Sequence, residues 1–519
     1  MEKSTPVKNL TDPEAKVGST STSSSSSASY GRKGSPLNKY VLFCAILASM
    51  NSILLGYDIG VMSGAVILIR EELMLTSVEV EVLVGILNLS SLIGSLASGK
   101  TSDYIGRRYT ISVAATTFLV GALLMGLAPT YPFLIAGRII AGLGVGYSLM
   151  IAPVYNSEIS PAMSRGLLGS LPEFFIVMGI LLGYISNYTL SSIPGRINWR
   201  IMLGLAGLPA ILIGFGVLFM PESPRWLVMK GRVREAKEVL VRTSSSEEEA
   251  EARLRDITVA ADSVSGGGLS AADWSGQGVW RELLNPSRPI RRILITAISI
   301  NFFMQASGND AVIYYTPEVF RAAGVRNKKH LFGVNVIMGA SKTAFVLVSA
   351  LYLDRFGRRP LLLIGSAGMA ASLAALGLGS KFLEHSNPKP LWAIVVCIVA
   401  VCTDVSFFSI GLGPITWVYS TEIFPSRLRA QGMALAVSVN RLVSGAVSMS
   451  FLSVCHRISF GGMFFLLCGV MVMGTVFIYF FLPETRGRSL EEMGALFEDE
   501  CYKRGNANAK NVELTGHAT

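Results

Sequence analysis

Apolar segments long enough to cross a lipid bilayer recur along this chain of 519 residues. A helix needs about 20 apolar residues to span the ~30 Å hydrocarbon core, and a backbone in lipid must satisfy its own hydrogen bonds. Only 15% of the residues are charged, where a soluble protein typically has ~25%. We therefore predict an all-α membrane protein with twelve transmembrane helices. The predicted spans are 41–66, 82–99, 110–128, 132–153, 167–189, 201–220, 292–317, 332–353, 361–380, 391–420, 432–454 and 461–482.

The positive charges are distributed unequally among the gaps between these spans. Most of the 45 Lys and Arg residues fall in the even-numbered gaps and the two tails, which the positive-inside rule places in the cytoplasm. A basic external loop at 321–329 goes against this trend. The formal net charge of +10 is explained by topology and by attraction to anionic lipid, so we expect the bilayer and not a nucleic acid as the charged partner.

Three short motifs each occur twice, once in each half of the chain. The pairs are GKTSDYIGRR from Gly99 with LDRFGRRP from Leu353, PVYNSE from Pro153 with WVYSTE from Trp417, and PESPR from Pro221 with PETRG from Pro483. The second member of each pair follows the first by a similar number of residues, so one duplication accounts for all three. Two six-helix halves related as parallel repeats are typical of secondary transporters.

The chain divides into five predicted parts. Its first residues include the run STSSSSSAS and few large apolar side chains, which predicts disorder. The large polar insert contains two amphipathic helical patterns and a glycine-rich linker, and we expect it on the cytoplasmic face. The predicted parts are a disordered tail 1–38, a six-helix half 39–220, the cytoplasmic helical insert 221–291, a second six-helix half 292–482 and a cytoplasmic tail 483–519.

Together the motifs resemble the sugar porter family of the major facilitator superfamily. The residues that carry the resemblance are the two GRR motifs, PVYNSE, STEIFP, PESPRW, PETRGRSLEE, QASG in the seventh span and GPITW in the tenth. YDIGVMSGA in the first span and SNY after the fifth are most similar to the plant polyol and monosaccharide transporters, which are proton symporters. The resemblance implies the major facilitator fold, a small polyol or sugar as substrate, a proton as coupling ion, no other cofactor and a functional monomer.

Charged residues inside the spans are candidates for proton coupling, because each costs at least ~2.5 kcal/mol at the bilayer centre and normally faces a cavity or a partner. Asp58 in the first span and Arg138 in the fourth both lie toward the external side, so they can form a pair. In proton-coupled relatives the matching aspartate accepts the proton and the arginine tunes it. The resemblance implies this role for Asp58 and Arg138, with Glu173 as a second carrier. A permanent structural pair and a packed, protonated Glu173 are the alternatives.

The resemblance also implies a solute site between the halves. Glu173 stands where many hexose transporters carry glutamine, Met304 replaces the first of two adjacent glutamines, and Asp310 replaces an asparagine. These departures favour a linear polyol over a ring-shaped hexose. Trp417 matches the family's substrate-stacking tryptophan, whereas Tyr314 and Phe408 can equally be packing residues. The predicted substrate-binding residues are Glu173, Gln305, Asp310, Tyr314, Phe408, Trp417 and Asn440.

The doubled GRR motifs predict a cytoplasmic gate. Arginine side chains offer planar forks suited to carboxylates, and the resemblance implies that such pairs close the cytoplasmic side. Asp103 and Asp354 are expected just past the ends of their helices, where each can cap the next helix or hold an arginine. Anchoring to lipid headgroups is the alternative for the arginines. The predicted gate residues are Asp103, Arg107, Arg108, Glu158, Asp354, Arg358, Arg359 and Glu422.

The sequence therefore predicts a proton-coupled symporter of a polyol or monosaccharide that works by alternating access. A facilitative uniporter of the same fold and a non-transporting sugar sensor are the alternatives. No enzymatic constellation is present. The plasma membrane is the default location and the vacuolar membrane is the other candidate. Three further intramembrane charges, Lys342, Asp404 and Arg441, have no role assigned from the sequence.

Overall fold

The computed structural model describes residues 38–161, 164–191, 197–265, 277–322, 328–386, 390–425 and 427–486. Within these ranges the chain forms α-helices and one short 3₁₀ helix, Val217–Phe219, and no strand. The two predicted tails, 1–38 and 483–519, lie outside the described residues except at their inner ends, and so does the middle of the glycine-rich linker.

Nineteen α-helices follow one another along the described residues, in two groups separated by the insert. The first group is α1 Lys39–Met50, α2 Ile53–Leu73, α3 Ser77–Ile105, α4 Arg107–Gly126, α5 Tyr131–Ile159, α6 Arg165–Leu190, α7 Asn198–Gly204 and α8 Gly207–Gly216. The insert contains α9 Pro224–Met229, α10 Val233–Thr243, α11 Glu247–Ser265 and α12 Gln277–Leu284. The second group is α13 Arg288–Ala306, α14 Asn309–Ala322, α15 Lys328–Phe356, α16 Arg358–His385, α17 Leu391–Ile410, α18 Leu412–Ile423 and α19 Arg429–Phe481.

Ten helical stretches among the described residues are long and apolar enough to cross a membrane. One of them, α19, has 53 residues, and its helical geometry is interrupted at Ser459 (φ 75°, ψ 162°), so it supplies two spans. A further span, α13 with α14, falls outside the ten because α13 starts with several arginines and the helix breaks before α14. The described residues therefore contain the twelve spans that the sequence predicts.

Two spans of the second half are broken near their middle. The seventh breaks at Ser307 and Gly308, and Gly308 takes φ +77°, a conformation that favours glycine. The tenth breaks at Gly411 (φ −108°, ψ −93°), just before Pro414, between α17 and α18. Broken helices free backbone groups inside a membrane protein where they line a cavity, and both breaks lie beside predicted substrate-binding residues.

Close backbone packing of α2 against α6 sets the position of Asp58. A Cβ atom on Gly56 would lie 1.8 Å from the Ile176 carbonyl oxygen, and one on Gly60 would lie 2.3 Å from that of Ile180. These positions therefore accept no side chain. Small residues at such interfaces allow transmembrane helices to approach closely, and Asp58 lies between the two glycines on α2.

The insert helices have a small core of their own and contact the first half. Trp226, Leu227 and Leu240 are buried in this core. The Trp226 indole nitrogen donates to the Asp103 carbonyl oxygen at 3.1 Å, and Arg253 donates to the Ile159 carbonyl oxygen at 3.1 Å. Because Asp103 and Ile159 lie at the ends of α3 and α5 that face the predicted cytoplasm, these contacts place α9 and α11 on that side.

Candidate functional site

Asp58 and Arg138 form an ion pair inside the first half. The Arg138 Nη1 atom lies 2.6 and 2.7 Å from the two carboxylate oxygens of Asp58, and both side chains are buried. Arg138 also donates from Nε to the Leu83 carbonyl oxygen at 3.0 Å and from Nη2 to that of Val84 at 3.4 Å. The guanidinium thus joins α2, α5 and α3, and it keeps backbone partners if the carboxylate changes its charge.

Glu173 and Trp417 meet across the boundary between the two halves. The Trp417 indole nitrogen donates to Glu173 Oε2 at 2.9 Å, and both residues are buried. Glu173 follows Pro172 inside α6, and Trp417 follows the break before α18. A carboxylate from one half and an aromatic donor from the other are therefore held together at the centre of the protein.

Gln305, Asp310 and Arg441 form a polar cluster in the second half. Oriented to satisfy its neighbours, the Gln305 amide donates to Asp310 Oδ2 at 3.0 Å and accepts from Arg441 Nη2 at 2.6 Å. Ser444 also donates to Asp310 Oδ2, at 2.7 Å, and Arg441 Nη2 lies 3.7 Å from the same oxygen. The cluster assigns a partner to Arg441, which sequence reasoning could not do.

The other predicted substrate residues have different surroundings. The Asn440 side-chain oxygen accepts from Arg441 Nε at 2.9 Å, so Asn440 extends the same cluster. Phe408 lies under the Lys342 ammonium, whose nitrogen is 4.7 Å from the ring centroid. The Tyr314 hydroxyl is buried and has no hydrogen-bond partner among the described residues. A buried hydroxyl with an unused donor and acceptor can bind another hydroxyl group.

The arginines of the GRR motifs divide into two roles in each half. Arg107 donates to Glu158 with Nε at 3.0 Å and Nη2 at 3.1 Å, and Arg358 binds Glu422 at 3.3 and 2.8 Å in the same way. The second arginine of each motif, which the sequence groups with these glutamates in the predicted gate, does not bind them. Arg108 donates to the Leu218 carbonyl oxygen and Arg359 to that of Tyr479, because consecutive helical residues point about 100° apart.

Two contacts that cross between the halves on the predicted cytoplasmic side come from Asp103 and Asp354. Asp103 Oδ2 accepts from the Gln431 amide at 3.3 Å, and Asp354 Oδ2 accepts from the Leu167 backbone N–H at 3.0 Å. The arginine–glutamate pairs, in contrast, connect helices within one half. The two aspartates are also not past their helix ends, as predicted, but inside the last turns of α3 and α15.

Sequence reasoning missed that Glu222 and Glu484 cap the helices that follow the GRR motifs. Glu222 accepts the backbone N–H groups of Arg107 and Arg108 at 2.8 and 3.2 Å. Glu484 accepts those of the two corresponding arginines at 3.0 and 2.9 Å. An anion at a helix N-terminus is favoured by the exposed N–H groups and the helix dipole. Burial raises the pKa of Glu222, and these backbone hydrogen bonds oppose that rise.

The glycine of each GRR motif is required by this arrangement. Gly106 takes φ +100° and Gly357 takes φ +95°. A Cβ atom on Gly106 would lie 2.4 Å from Glu222 Oε2, and one on Gly357 would lie 2.9 Å from Glu484 Oε2. The sequence carries a signal for these caps, because the glutamate stands in both members of the third repeated motif, PES and PET.

A second missed residue, Glu81, joins the halves on the predicted external side. Its carboxylate accepts the Ser453 backbone N–H and the Ser453 hydroxyl, each at 2.7 Å, and it is buried. Glu81 lies one turn into α3, and Ser453 lies six residues before the interruption of α19. A single glutamate near a helix start gave no signal in the sequence that it reaches the other half.

A family model described as "Sugar (and other) transporter" matches residues 44–497 of the chain. That range includes both halves and the insert between them. The chain belongs to the sugar transporter family. The motifs identified in the sequence therefore come from common ancestry with this family, and the predicted sugar porter resemblance is confirmed.

Curated relatives of this sugar transporter family member cover most of its length. Polyol transporter 5 of Arabidopsis thaliana is 53% identical over 488 residues, which are 92% of this chain and 90% of that protein. Glucose transporter GlcP of Staphylococcus epidermidis is 34% identical over 88% of this chain and 96% of that protein. Both relatives are transporters, so the expectation of a transporter and not an enzyme is confirmed.

Solved structures give the same fold. The proton:xylose symporter XylE bound to 6-bromo-6-deoxy-D-glucose matches with a TM-score of 0.79 and 26% identity, covering 89% of this chain and 100% of that one. The inward-open conformation of XylE from E. coli matches less closely, with a TM-score of 0.66 and 26% identity over 88% of this chain and all of that one. The predicted twelve-helix major facilitator fold is confirmed, and the lower score agrees with the cytoplasmic contacts of Asp103 and Asp354.

Proposed function

We propose that this membrane protein is a secondary active transporter that moves a linear polyol or a monosaccharide together with a proton. The solute class is supported by the identity to Polyol transporter 5, and the proton by the similarity to the proton:xylose symporter XylE. The observation that carries the proposal is the buried ion pair of Asp58 with Arg138, because a carboxylate inside a membrane span is costly unless it has a function or a partner.

Proton binding to Asp58 releases Arg138 from its charged partner. The guanidinium then retains the carbonyl oxygens of Leu83 and Val84 as acceptors for Nε and Nη2, and Nη1 can still donate to the carbonyl oxygen of the neutral carboxyl group. Because α2 and α5 are no longer joined by opposite charges, they can move relative to each other. Loss of the proton to the cytoplasm restores the pair. Each cycle therefore couples one protonation and one deprotonation of Asp58 to the change between the outward-facing and inward-facing conformations and back.

The solute site lies between Glu173 and Trp417 on one side and the Gln305–Asp310–Arg441 cluster on the other. Solute hydroxyl groups donate to carboxylates and accept from amide and guanidinium groups, so they can replace the hydrogen bonds these residues make with one another. The ring of Trp417 offers an apolar surface for the C–H groups of a sugar or polyol. Two carboxylates, Glu173 and Asp310, favour a flexible polyol with many hydroxyl donors over a rigid hexose ring.

Alternating access requires the two sets of contacts between the halves to break in turn. Glu81 with Ser453 closes the predicted external side, and Asp103 and Asp354 close the predicted cytoplasmic side. Both sets are present together, as in an occluded conformation. The pairs of Arg107 with Glu158 and Arg358 with Glu422 hold α4 against α5 and α16 against α18 while these contacts change.

We place the transporter in the plasma membrane, where an inward proton gradient drives uptake. A membrane potential of 100 mV contributes ~2.3 kcal/mol per positive charge, which corresponds to roughly 10- to 100-fold accumulation of a neutral solute per coupled proton. A facilitative uniporter of the same fold would show no such accumulation. The charge of Asp58 favours symport.

Uptake in a transport-deficient cell tests the proposal. Labelled sorbitol, mannitol, inositol and glucose are compared, and the external pH is followed as each is added. We expect polyols to cause external alkalinisation and to accumulate in the cell, and we expect a protonophore to abolish the accumulation. Asp58→Asn should show neither alkalinisation nor accumulation. Asp256→Asn, on the exposed face of α11, is the matched control. Uptake that is unchanged by the protonophore and by Asp58→Asn would establish the uniporter. Uptake of glucose that is much more efficient than uptake of sorbitol, mannitol or inositol would refute the polyol preference.

A further inference from the structure

Asp404 is a buried carboxyl group without a hydrogen-bond partner. It lies in α17, its side chain is fully buried, and neither of its oxygens has a donor within reach among the described residues. An ionised carboxylate in this position would lose its hydration without any replacement, which costs far more than burying the neutral acid. In this conformation the carboxyl group is therefore more stable with a bound proton than as the ionised carboxylate.

Lys342 is the charged group that approaches Asp404. The hydroxyl groups of Ser341 and Ser406 are 3.1 Å apart and fix the register of α15 against α17. Lys342 places its ammonium over Phe408, which is one helical turn beyond Asp404 on the same face of α17. The same ammonium donates to Asn309 Oδ1 at 3.4 Å. Lys342 thus interacts electrostatically with Asp404, but it binds a neutral amide and an aromatic ring.

The other helices around α17 present no closer charge in the described residues. α17 packs against α14, α15, α16 and α18. The charges of α16 are confined to its first two and last five residues, and those of α18 to Glu422 near its end. Asp310, at the start of α14, is bound to Ser444 and Gln305, and Glu173 is bound to Trp417. Lys342 is therefore the cation available to Asp404.

Apart from the Asp58–Arg138 pair, the described residues at the buried centre include one carboxyl group more than they have cations. Lys342 and Arg441 carry the positive charges, and Glu173, Asp310 and Asp404 are the acids. Lys342 interacts electrostatically with all three acids. Arg441 interacts with Asp310, Gln305 and Asn440, so it is not available as an ion-pair partner for Asp404. One proton on this group of residues makes it neutral, and Asp404 is the acid that lacks any other partner.

We propose that Asp404 is a second proton-binding site, in the half opposite to Asp58, and that the Lys342 ammonium takes the place of this proton when it leaves. In the occluded conformation Asp404 holds the proton and Lys342 binds Asn309 and Phe408. When the cavity opens to the cytoplasm, the carboxyl O–H bond breaks, the proton passes to water, and the ammonium moves to the resulting carboxylate. Because Asn309 and Phe408 adjoin the solute site, this movement changes the site as the proton leaves. The coupling to solute rests on the proposed symport.

Infrared difference spectroscopy of the purified full-length protein in lipid tests the site without a transport assay. A buried, protonated carboxylic acid has a carbonyl stretch clear of the amide bands. We expect such a band in the wild type at neutral pH and its loss in Asp404→Asn. Ser409→Ala should retain it, since Ser409 is a buried residue of the same helix whose hydroxyl donates to the Val405 carbonyl oxygen. In Lys342→Met the band should persist to higher pH, because the exchanging cation is absent.

Proton counting on addition of sorbitol provides the second readout. With a pH-indicator dye, Asp404→Asn should exchange one proton fewer per bound sorbitol than the wild type, and Ser409→Ala should match the wild type. Identical carboxyl bands in the wild type and Asp404→Asn would overturn the proton-binding site. If the band in Lys342→Met had the same pH dependence as in the wild type, the proposed role of Lys342 would be overturned. If the wild-type band depends on Asp404 but adding sorbitol causes no proton uptake or release, the proton-binding site is supported and the proposed symport is refuted.

Discussion

The Trp417 indole nitrogen lies 2.9 Å from Glu173 Oε2, and this hydrogen bond joins the two halves at their centre. Glu173 belongs to the half that contains the Asp58–Arg138 pair, whereas Trp417 belongs to the half that contains the Gln305–Asp310–Arg441 cluster. The bond therefore links the residues proposed for proton coupling with those proposed for solute binding. A solute that replaces this hydrogen bond therefore contacts both halves at the same time.

Trp417→Phe should weaken polyol binding while the protein still folds. The substitution keeps an aromatic surface but removes the indole N–H that can donate to a solute hydroxyl, and a hydrogen bond between neutral groups contributes about 0.5–1.5 kcal/mol. We expect KM for sorbitol to rise roughly 2- to 10-fold, which corresponds to that energy. Labelled uptake over a range of concentrations measures it. Trp392→Phe, at an exposed position near the start of α17, should leave KM unchanged.

Asp58→Asn should destabilise the protein, and removal of Arg138 as well should restore much of the loss. Breaking a buried ion pair leaves an uncompensated charge and typically costs 3–5 kcal/mol, whereas replacing both partners by neutral residues is often nearly neutral. Thermal unfolding in detergent compares Asp58→Asn, Arg138→Met and the double variant. A double variant that loses as much as the two single variants added together would contradict this account of the pair.

Arg107→Lys should be much more damaging than Arg108→Lys, although the two arginines are adjacent. Arg107 is buried and binds Glu158 through two nitrogens, a geometry that a lysine cannot reproduce. Arg108 donates to a carbonyl oxygen in an exposed position. We expect a loss of about 3 kcal/mol in unfolding free energy for the first and about 0–1 kcal/mol for the second. Arg358→Lys and Arg359→Lys repeat the comparison in the other half, where equal effects would refute the division of roles.

Glu81→Gln and Asp103→Asn should shift the conformation in opposite directions. Glu81 closes the predicted external side through Ser453, and Asp103 contributes to closing the cytoplasmic side through Gln431. Spin labels at the exposed positions Val78 and Ile458, in a background without the six cysteines, report the external separation. The population with a longer distance should grow in Glu81→Gln and shrink in Asp103→Asn. No change in either variant would mean that these contacts do not hold the occluded conformation.

The sequence predicts what depends on local pattern or on a charge in an apolar span. The spans follow from apolar length, and the contact of Asp58 with Arg138 was a geometric possibility because two opposite charges occurred at similar depth. The roles assigned to the site residues stay predictions. The two roles of Arg107 and Arg108 could not be separated, because a pair of adjacent arginines does not show which one faces Glu158.

Contacts between the halves were beyond the sequence for a different reason. Asp354 binds the backbone of Leu167, and Glu81 binds the backbone of Ser453, so the partner's side-chain type gives no pattern to recognise. Such contacts depend on how the two halves are placed against each other, which a repeat in the sequence does not specify.

The contact of Asp354 with the Leu167 backbone has a consequence for trapping the transporter. Gly166 precedes Leu167, and a Cβ atom at Gly166 would lie within 1.9 Å of Asp354 Oδ1. A methyl group there would displace the Asp354 carboxylate from the Leu167 backbone N–H, which weakens a contact across the cytoplasmic seam without removing any charge. Gly166→Ala thus offers a way to favour the inward-facing conformation with every titratable group still in place.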